Sequence, residues 1–276
     1  MLTIENLRAA LPPDVEVRWA IHKGGQRYVY DVAVKGEHRV LKLMPEDGRA
    51  RAEREVIIGR RFDHPNLSKI VDEELQEVEV DGETFVYFTE EFIEGETLAK
   101  RTEAMTPCEA LGLGRELVSA VTYLWERHHI VHRDIKPLNI MVKPDGTFVL
   151  LDIGVARHQD LTTLTVVPGE HQPGTIGYLA PEQLAPLKGR EIDYRADLFA
   201  IGIVVYEQLT RRLPFDPTSA SYRTLLTTGL APDLEDAPHV VAELLTRLLA
   251  PRPHGRFRIE KAAEAINEAR EELECS

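Results

Sequence analysis

Apolar and polar side chains alternate through the first third of the chain. One run passes through Val15, Val17, Trp19 and Ile21, a second through Val29, Asp31 and Ala33, and a third begins at Val40 and Lys42. A period of two is the signature of strands with one face turned to a core. Gly24-Gly25 and Gly36-Glu37 break the runs as turns. Asp81-Gly82, between LQEVEV and TFVYFTEEF, predicts a tight hairpin. One helix interrupts the strands over residues 50–62, where good helix formers run without proline until His64-Pro65.

Beyond residue 96 the period lengthens to that of helices. Thr106-Pro107 opens a helix with proline at its favoured first position, and Leu111, Leu117, Val118, Val121 and Leu124 form its apolar face. A second Asp-Gly turn, inside residues 143–147, separates IMV from FVLL. Further helices are predicted over residues 196–209, 240–249 and 259–273. Strands first and helices afterwards predict an α+β fold. The expected division is an N-terminal extension over 1–14, a strand-rich part over 15–92 and a helix-rich part over 93–276.

Composition adds boundaries. The 276 residues are enough for about two domains or one large one. Cys108 and Cys275 have no paired spacing, which argues against a disulfide or zinc scaffold and predicts inert thiols in a reducing, cytoplasmic setting. The net charge of −13 opposes general binding to nucleic acid. Glu5 and Arg8 interrupt the N-terminus too early for a signal peptide. The longest apolar run, residues 198–206, is far shorter than the roughly 20 residues a membrane span needs.

The segment His132-Arg-Asp-Ile-Lys-Pro-Leu-Asn139, followed across a hairpin by Asp152-Ile-Gly154, concentrates the chemistry. Asp134 could accept a hydroxyl proton. Lys136 could neutralise a phosphoryl group. Asn139 and Asp152 are hard oxygen donors suited to Mg²⁺, which prefers few protein ligands and phosphate oxygens. Phosphoryl transfer needs these parts, because its catalysis is mostly positioning and charge stabilisation.

On these residues the chain resembles the bacterial, eukaryotic-like (Hanks-type) protein serine/threonine kinases. Further motifs follow in order. They are Val40-Leu-Lys42, Glu55 in the helix before His64-Pro65-Asn66, Ala180-Pro-Glu182 after Gly174-Thr-Ile-Gly-Tyr178, Asp197, and Arg256. The resemblance implies a bilobal kinase-like fold, with an antiparallel sheet and one helix in the N-terminal lobe and a mostly helical C-terminal lobe. It implies ATP and Mg²⁺ as cofactors, with Mn²⁺ as a substitute.

Site roles follow from the same resemblance. Lys42 would hold the α/β-phosphates and salt-bridge Glu55. Ile21, Gly24, Gly25, Val29, Val40 and Met141 would surround the nucleotide, and backbone groups of Glu91 and Ile93 would hold adenine. Asp134, Lys136 and Asn139 would carry catalysis, with Asn139 and Asp152 on the metal. Glu182 and Arg256 would pair as scaffold. Arg133 implies control by a phosphate on the activation loop at Thr162, Thr163 or Thr165, added by autophosphorylation, with a homodimer as its setting. Lys136 and the segment 174–182 point to Ser/Thr hydroxyls of protein substrates. The alternatives are a nucleotide-binding pseudokinase scaffold and a small-molecule kinase. Both a free-standing enzyme and a catalytic domain cut from a longer chain fit these motifs.

The sequence departs from the family pattern in two places. The glycine-rich loop aligns with His22-Lys-Gly24-Gly25-Gln26-Arg27, where only the middle glycine survives, so the grip on ATP should be altered. Glu90 stands where an apolar residue or threonine is usual. Either it finds a partner for a buried carboxylate, or the register is displaced by one residue.

Overall fold

A computed structural model describes residues 2–24, 27–152, 175–184, 192–215, 234 and 237–275. The chain divides into two compact units, Met1–Glu94 and Gly95–Ser276. Strands dominate the first and helices the second, the α+β arrangement that the change of period predicts.

The first unit begins with helix α1 (Ile4–Ala10), capped by Thr3, whose hydroxyl accepts the Asn6 N–H at 3.2 Å. The sequence predicts only an extension over residues 1–14. The seven residues of α1 are too short for a periodic signal, yet Leu7 and Leu11 are buried in the core. Strands β1 (Val15–Gly24), β2 (Arg27–Val34) and β3 (Glu37–Pro45) come next, then helix α2 (Arg49–Gly59), β4 (Gln76–Val80) and β5 (Glu83–Glu91). They form one antiparallel sheet in the order β1-β2-β3-β5-β4. The Asp81-Gly82 turn has both φ values positive, +52° and +79°, the backbone that a two-residue hairpin requires.

Alternation sorts the sheet's side chains to two faces. Tyr30, Val32, Leu41, Leu43, Phe85 and Tyr87 pack on one face with Leu7 of α1 and Leu11 just after it. Met44, Val86 and Phe88 pack on the other with Ala52 and Val56 of α2. Lys42 and Glu90 have the parity of this second face, and both are buried.

His64, after α2, is half-buried, and its Nδ1 accepts the Asn66 N–H at 3.2 Å. Burial holds its imidazole below the ordinary histidine value of 6.5. Below that value the unfolded chain takes up the proton more readily. This contribution to stability is therefore complete above pH 6.5 and is lost as pH falls through the depressed value. Urea midpoints of the wild type should fall more steeply between about pH 7 and pH 5 than those of His64→Asn. Parallel slopes would remove His64 as a source of the dependence.

The second unit contains a small sheet, β6 (Glu96–Thr97), β7 (Ile140–Val142) and β8 (Phe148–Leu150), in that order. Its helices are α3 (Pro107–His128), α4 (Pro181–Leu184), α5 (Arg195–Thr210), α6 (His239–Leu248) and α7 (Ile259–Glu272). Helix α3 starts with a capping box. Glu109 accepts the Thr106 N–H at 2.8 Å, and the Thr106 hydroxyl accepts the Glu109 N–H at 3.3 Å. Helix α5 is apolar almost all round and correspondingly buried. Gly202 makes room for α6: a methyl group there would sit 2.9 Å from Leu248 Cβ.

The cysteine reading is corrected. Cys108, at the start of α3, and Cys275, just past α7, form a disulfide with Cα atoms 5.4 Å apart. Packing of α3 on α7 brings the two ends into the range a disulfide spans. The argument from unpaired thiols to a reducing, cytoplasmic setting therefore loses its basis. Among the described residues, no helix is long and apolar enough to cross a membrane.

Candidate active site

The loop from Val131 to Asn139 is shaped by groups that lie far away in sequence. Asp197, in the first turn of α5, is fully buried, and its two carboxylate oxygens accept the N–H groups of His132 and Arg133, each at 2.8 Å. Burial pushes the Asp197 carboxyl above the ordinary aspartate value, and the two donors favour its ionised form. Arg133 has φ +68°, a conformation uncommon for a side chain of this size. Asp197 fixes that backbone from one side, and Gln183 of α4 donates to the Arg133 carbonyl at 3.1 Å.

His132 is buried, with Nε2 3.0 Å from the Leu151 carbonyl, while its Nδ1 receives the Asp134 N–H at 3.3 Å. With these two partners the ring braces the loop against the hairpin.

Asp134 is held at both oxygens. Lys136 Nζ lies 2.9 Å from Oδ1, and Asn139 Nδ2 donates to Oδ2 at 2.9 Å and to the Asp134 carbonyl at 2.8 Å. The carboxylate remains partly exposed, with 37% of its side chain accessible. Each oxygen retains a further lone pair for an incoming proton. The Leu151 N–H donates to the Asn139 carbonyl at 2.8 Å, next to the Ile140–Leu150 pair. The hairpin thus brings Asp152 within a residue of Asn139 across the ladder. Asp152 has φ +48°.

Asn139 and Asp152 fit a divalent cation by their chemistry. With Nδ2 committed to Asp134, Asn139 has its amide oxygen left as a hard donor, and Asp152 adds a carboxylate. Met141, on β7, is half-buried. Glu182 of α4 is held by Arg256 at 2.6 and 3.0 Å, as the resemblance implies.

In the first unit one expectation is corrected. Glu55 of α2 does not take Lys42 as its partner. Its Oε2 lies 2.6 Å from Arg27 Nη2, and Lys42 Nζ lies 2.6 Å from Glu90 Oε1. The strand register supplies the reason. Lys42 faces Phe88 and Val40 faces Glu90, so Lys42 and Glu90 are diagonal neighbours on one face. Glu90 thereby finds its partner, and no shift of register is needed. The sequence places Arg27 at the end of the glycine-rich loop, as added charge near the phosphates, whereas the strand parity places it with Val29 and Lys42 on that face, where it pairs with Glu55.

Val29 and Val40 are half-buried, and Ile21 is 51% exposed. Glu91 ends β5 with its N–H donated to the Lys69 carbonyl at 3.0 Å. Ile93 is half-buried beyond it. Gly24 closes β1. Gly25, Ile153, Gly154, Thr162, Thr163 and Thr165 lie outside the described residues.

Comparison with known proteins agrees with this arrangement. The chain is 38% identical over 179 residues to the probable serine/threonine-protein kinase PknB of Bifidobacterium longum, an alignment covering 62% of this chain and 25% of that protein. Serine/threonine-protein kinase PrkC of Bacillus subtilis is 36% identical over 173 residues, with the same coverage. PksC of Streptomyces coelicolor, also a serine/threonine-protein kinase, is 30% identical over 273 residues, covering 92% of this chain and 48% of that one. The chain thus spans between a quarter and a half of these relatives' lengths. The pattern of the protein kinase domain matches residues 17–266, and the chain belongs to that family.

Proposed function

We propose that the chain is a protein serine/threonine kinase that moves the γ-phosphoryl group of ATP to Ser or Thr hydroxyls of protein substrates. The observation that carries this reading is the Asp134 carboxylate held between Lys136 and Asn139 and still open to solvent. The substrate hydroxyl oxygen forms a bond to the γ-phosphorus as the bond from that phosphorus to the β–γ bridging oxygen breaks. ADP leaves, and the hydroxyl proton passes to Asp134. Lys136 orients Asp134 and offsets charge on the moving group.

The family uses ATP with a divalent metal, and Mg²⁺ suits the donors here, Asn139 and Asp152, with Mn²⁺ as a substitute. When bound, the ion neutralises phosphate charge. Lys42 is assigned to the nucleotide's phosphates. Arg133 is assigned to a phosphothreonine at 162, 163 or 165, introduced by the same chemistry between two copies of the chain.

One observation favours a second reading, a nucleotide-binding scaffold without transfer: Lys42 is already engaged by Glu90. Transfer from γ-labelled ATP separates the two readings. Wild type and Asp134→Asn are incubated with metal and a basic protein, and alone. Label on Ser or Thr with the wild type and its loss in the variant support the kinase. Nucleotide binding with no transfer by either supports the scaffold. Label that reaches only small hydroxylated metabolites overturns the protein substrate.

A further inference from the structure

Four charged side chains meet between β2, β3, β5 and α2: Arg27, Lys42, Glu55 and Glu90. Within the first unit they form two ion pairs. Lys42 and Glu90 have only 5% and 8% of their side chains exposed, and Glu55 only 4%. Ionised groups so buried persist only when paired. The pairing observed is a crossed one. Glu90 holds the strand lysine, and Arg27, the first residue of β2, holds the helix glutamate.

We propose that Glu90 sets nucleotide affinity by serving as an internal stand-in for a phosphate oxygen at Lys42, and that Arg27 is the positioning residue for Glu55. This rests on the kinase reading, which assigns Lys42 to the phosphates. An ammonium neutralised at 2.6 Å by a carboxylate offers little net charge to an arriving triphosphate. Nucleotide engages Lys42 by displacing Glu90, and the displaced carboxylate opposes the polyanion. Arg27 makes the exchange workable, because Glu55 keeps a cation of its own and does not compete for the lysine. It also ties α2 to β2, in place of the direct β3–α2 bridge the resemblance implies.

The test is a charge cycle read by calorimetric titration with Mg-ADP and by the split between KM for ATP and kcat. Glu90→Gln keeps the shape and removes the negative charge. It should tighten nucleotide binding at least about tenfold, about 1.4 kcal/mol, and lower KM with little change in kcat. Arg27→Gln leaves Glu55 to draw on Lys42 and should weaken binding by a similar factor. The double variant leaves one carboxylate, Glu55, to pair with Lys42 and should return near the wild-type affinity.

Glu90→Thr repeats the first arm if the glutamine variant folds poorly, as judged by urea unfolding. Unchanged or weaker binding in the folded Glu90 variants, or an Arg27 effect that Glu90→Gln does not reverse, overturns the proposal. No nucleotide binding by the wild type or by either Glu90 variant overturns both it and the kinase reading. Affinities that follow the cycle without phosphoryl transfer sink the kinase reading alone.

Discussion

Replacing Asp134 by asparagine should lower kcat by about 10²- to 10⁴-fold, the usual contribution of a positioned general base, while Mg-ADP binding changes little. The substitution preserves volume. The asparagine oxygen can still accept from Asn139 Nδ2, so the loop fixed by Asp197 and His132 should keep its shape. What disappears is the lone pair able to take a proton at neutral pH, together with the charge that holds Lys136 Nζ at 2.9 Å. Single-turnover measurements separate the chemical step from binding and product release. A variant that retained more than a tenth of the wild-type rate would move proton acceptance to another group. Lys136→Met should act differently. It leaves Asp134 able to accept the proton and removes a positive charge beside the moving phosphoryl group.

The parts of this site that were legible in the sequence are those carried by local spacing. Asp134, Lys136 and Asn139 lie within one loop, and the Asp145-Gly146 turn folds the next strand back so that Asp152 comes within a residue of Asn139. Helix α3 declares its start through Thr106, Pro107 and Glu109, which act within one turn. Pairings that depend on register were not legible in the same way. The Lys42–Glu90 and Arg27–Glu55 pairs join residues 48 and 28 positions apart, and a motif alignment names Lys42 and Glu55 without saying which carboxylate is nearer. Parity along β2, β3 and β5 was the available signal. It puts all three strand residues on the face of α2 before any distance is known. The Cys108–Cys275 bond joins residues 167 positions apart and depends on how α3 packs on α7, which no local pattern encodes. Helix α1 failed for the opposite reason, being too short for its two anchoring leucines to establish a period.

Arg256→Met should cost about 3–5 kcal/mol of folding stability, the range for removing one member of a buried ion pair. The Arg256 side chain is fully buried. Besides its two bonds to Glu182 it donates to the carbonyls of Ala250 and Arg195, both at 2.8 Å, and of Pro251 at 3.2 Å. Its guanidinium also lies 4.6 Å from the Phe199 ring centre. One planar cation thus ties α4, the start of α5 and the segment that follows α6. Methionine fills part of the volume and satisfies none of these acceptors.

Arg256→Lys should fall between the two, since a single ammonium keeps the charge but cannot serve five acceptors spread around a plane. Glu182→Gln should cost less than Arg256→Met, because Glu182 is 19% exposed and its side chain can be hydrated. The expected loss is a large share of the roughly 5–15 kcal/mol that holds a domain folded. Urea unfolding of the three variants and of the Arg256→Met/Glu182→Gln pair completes the cycle. A loss below about 1 kcal/mol for Arg256→Met, in the range of a surface pair, would show that the unit relaxes around the site and that this arginine does not hold it together.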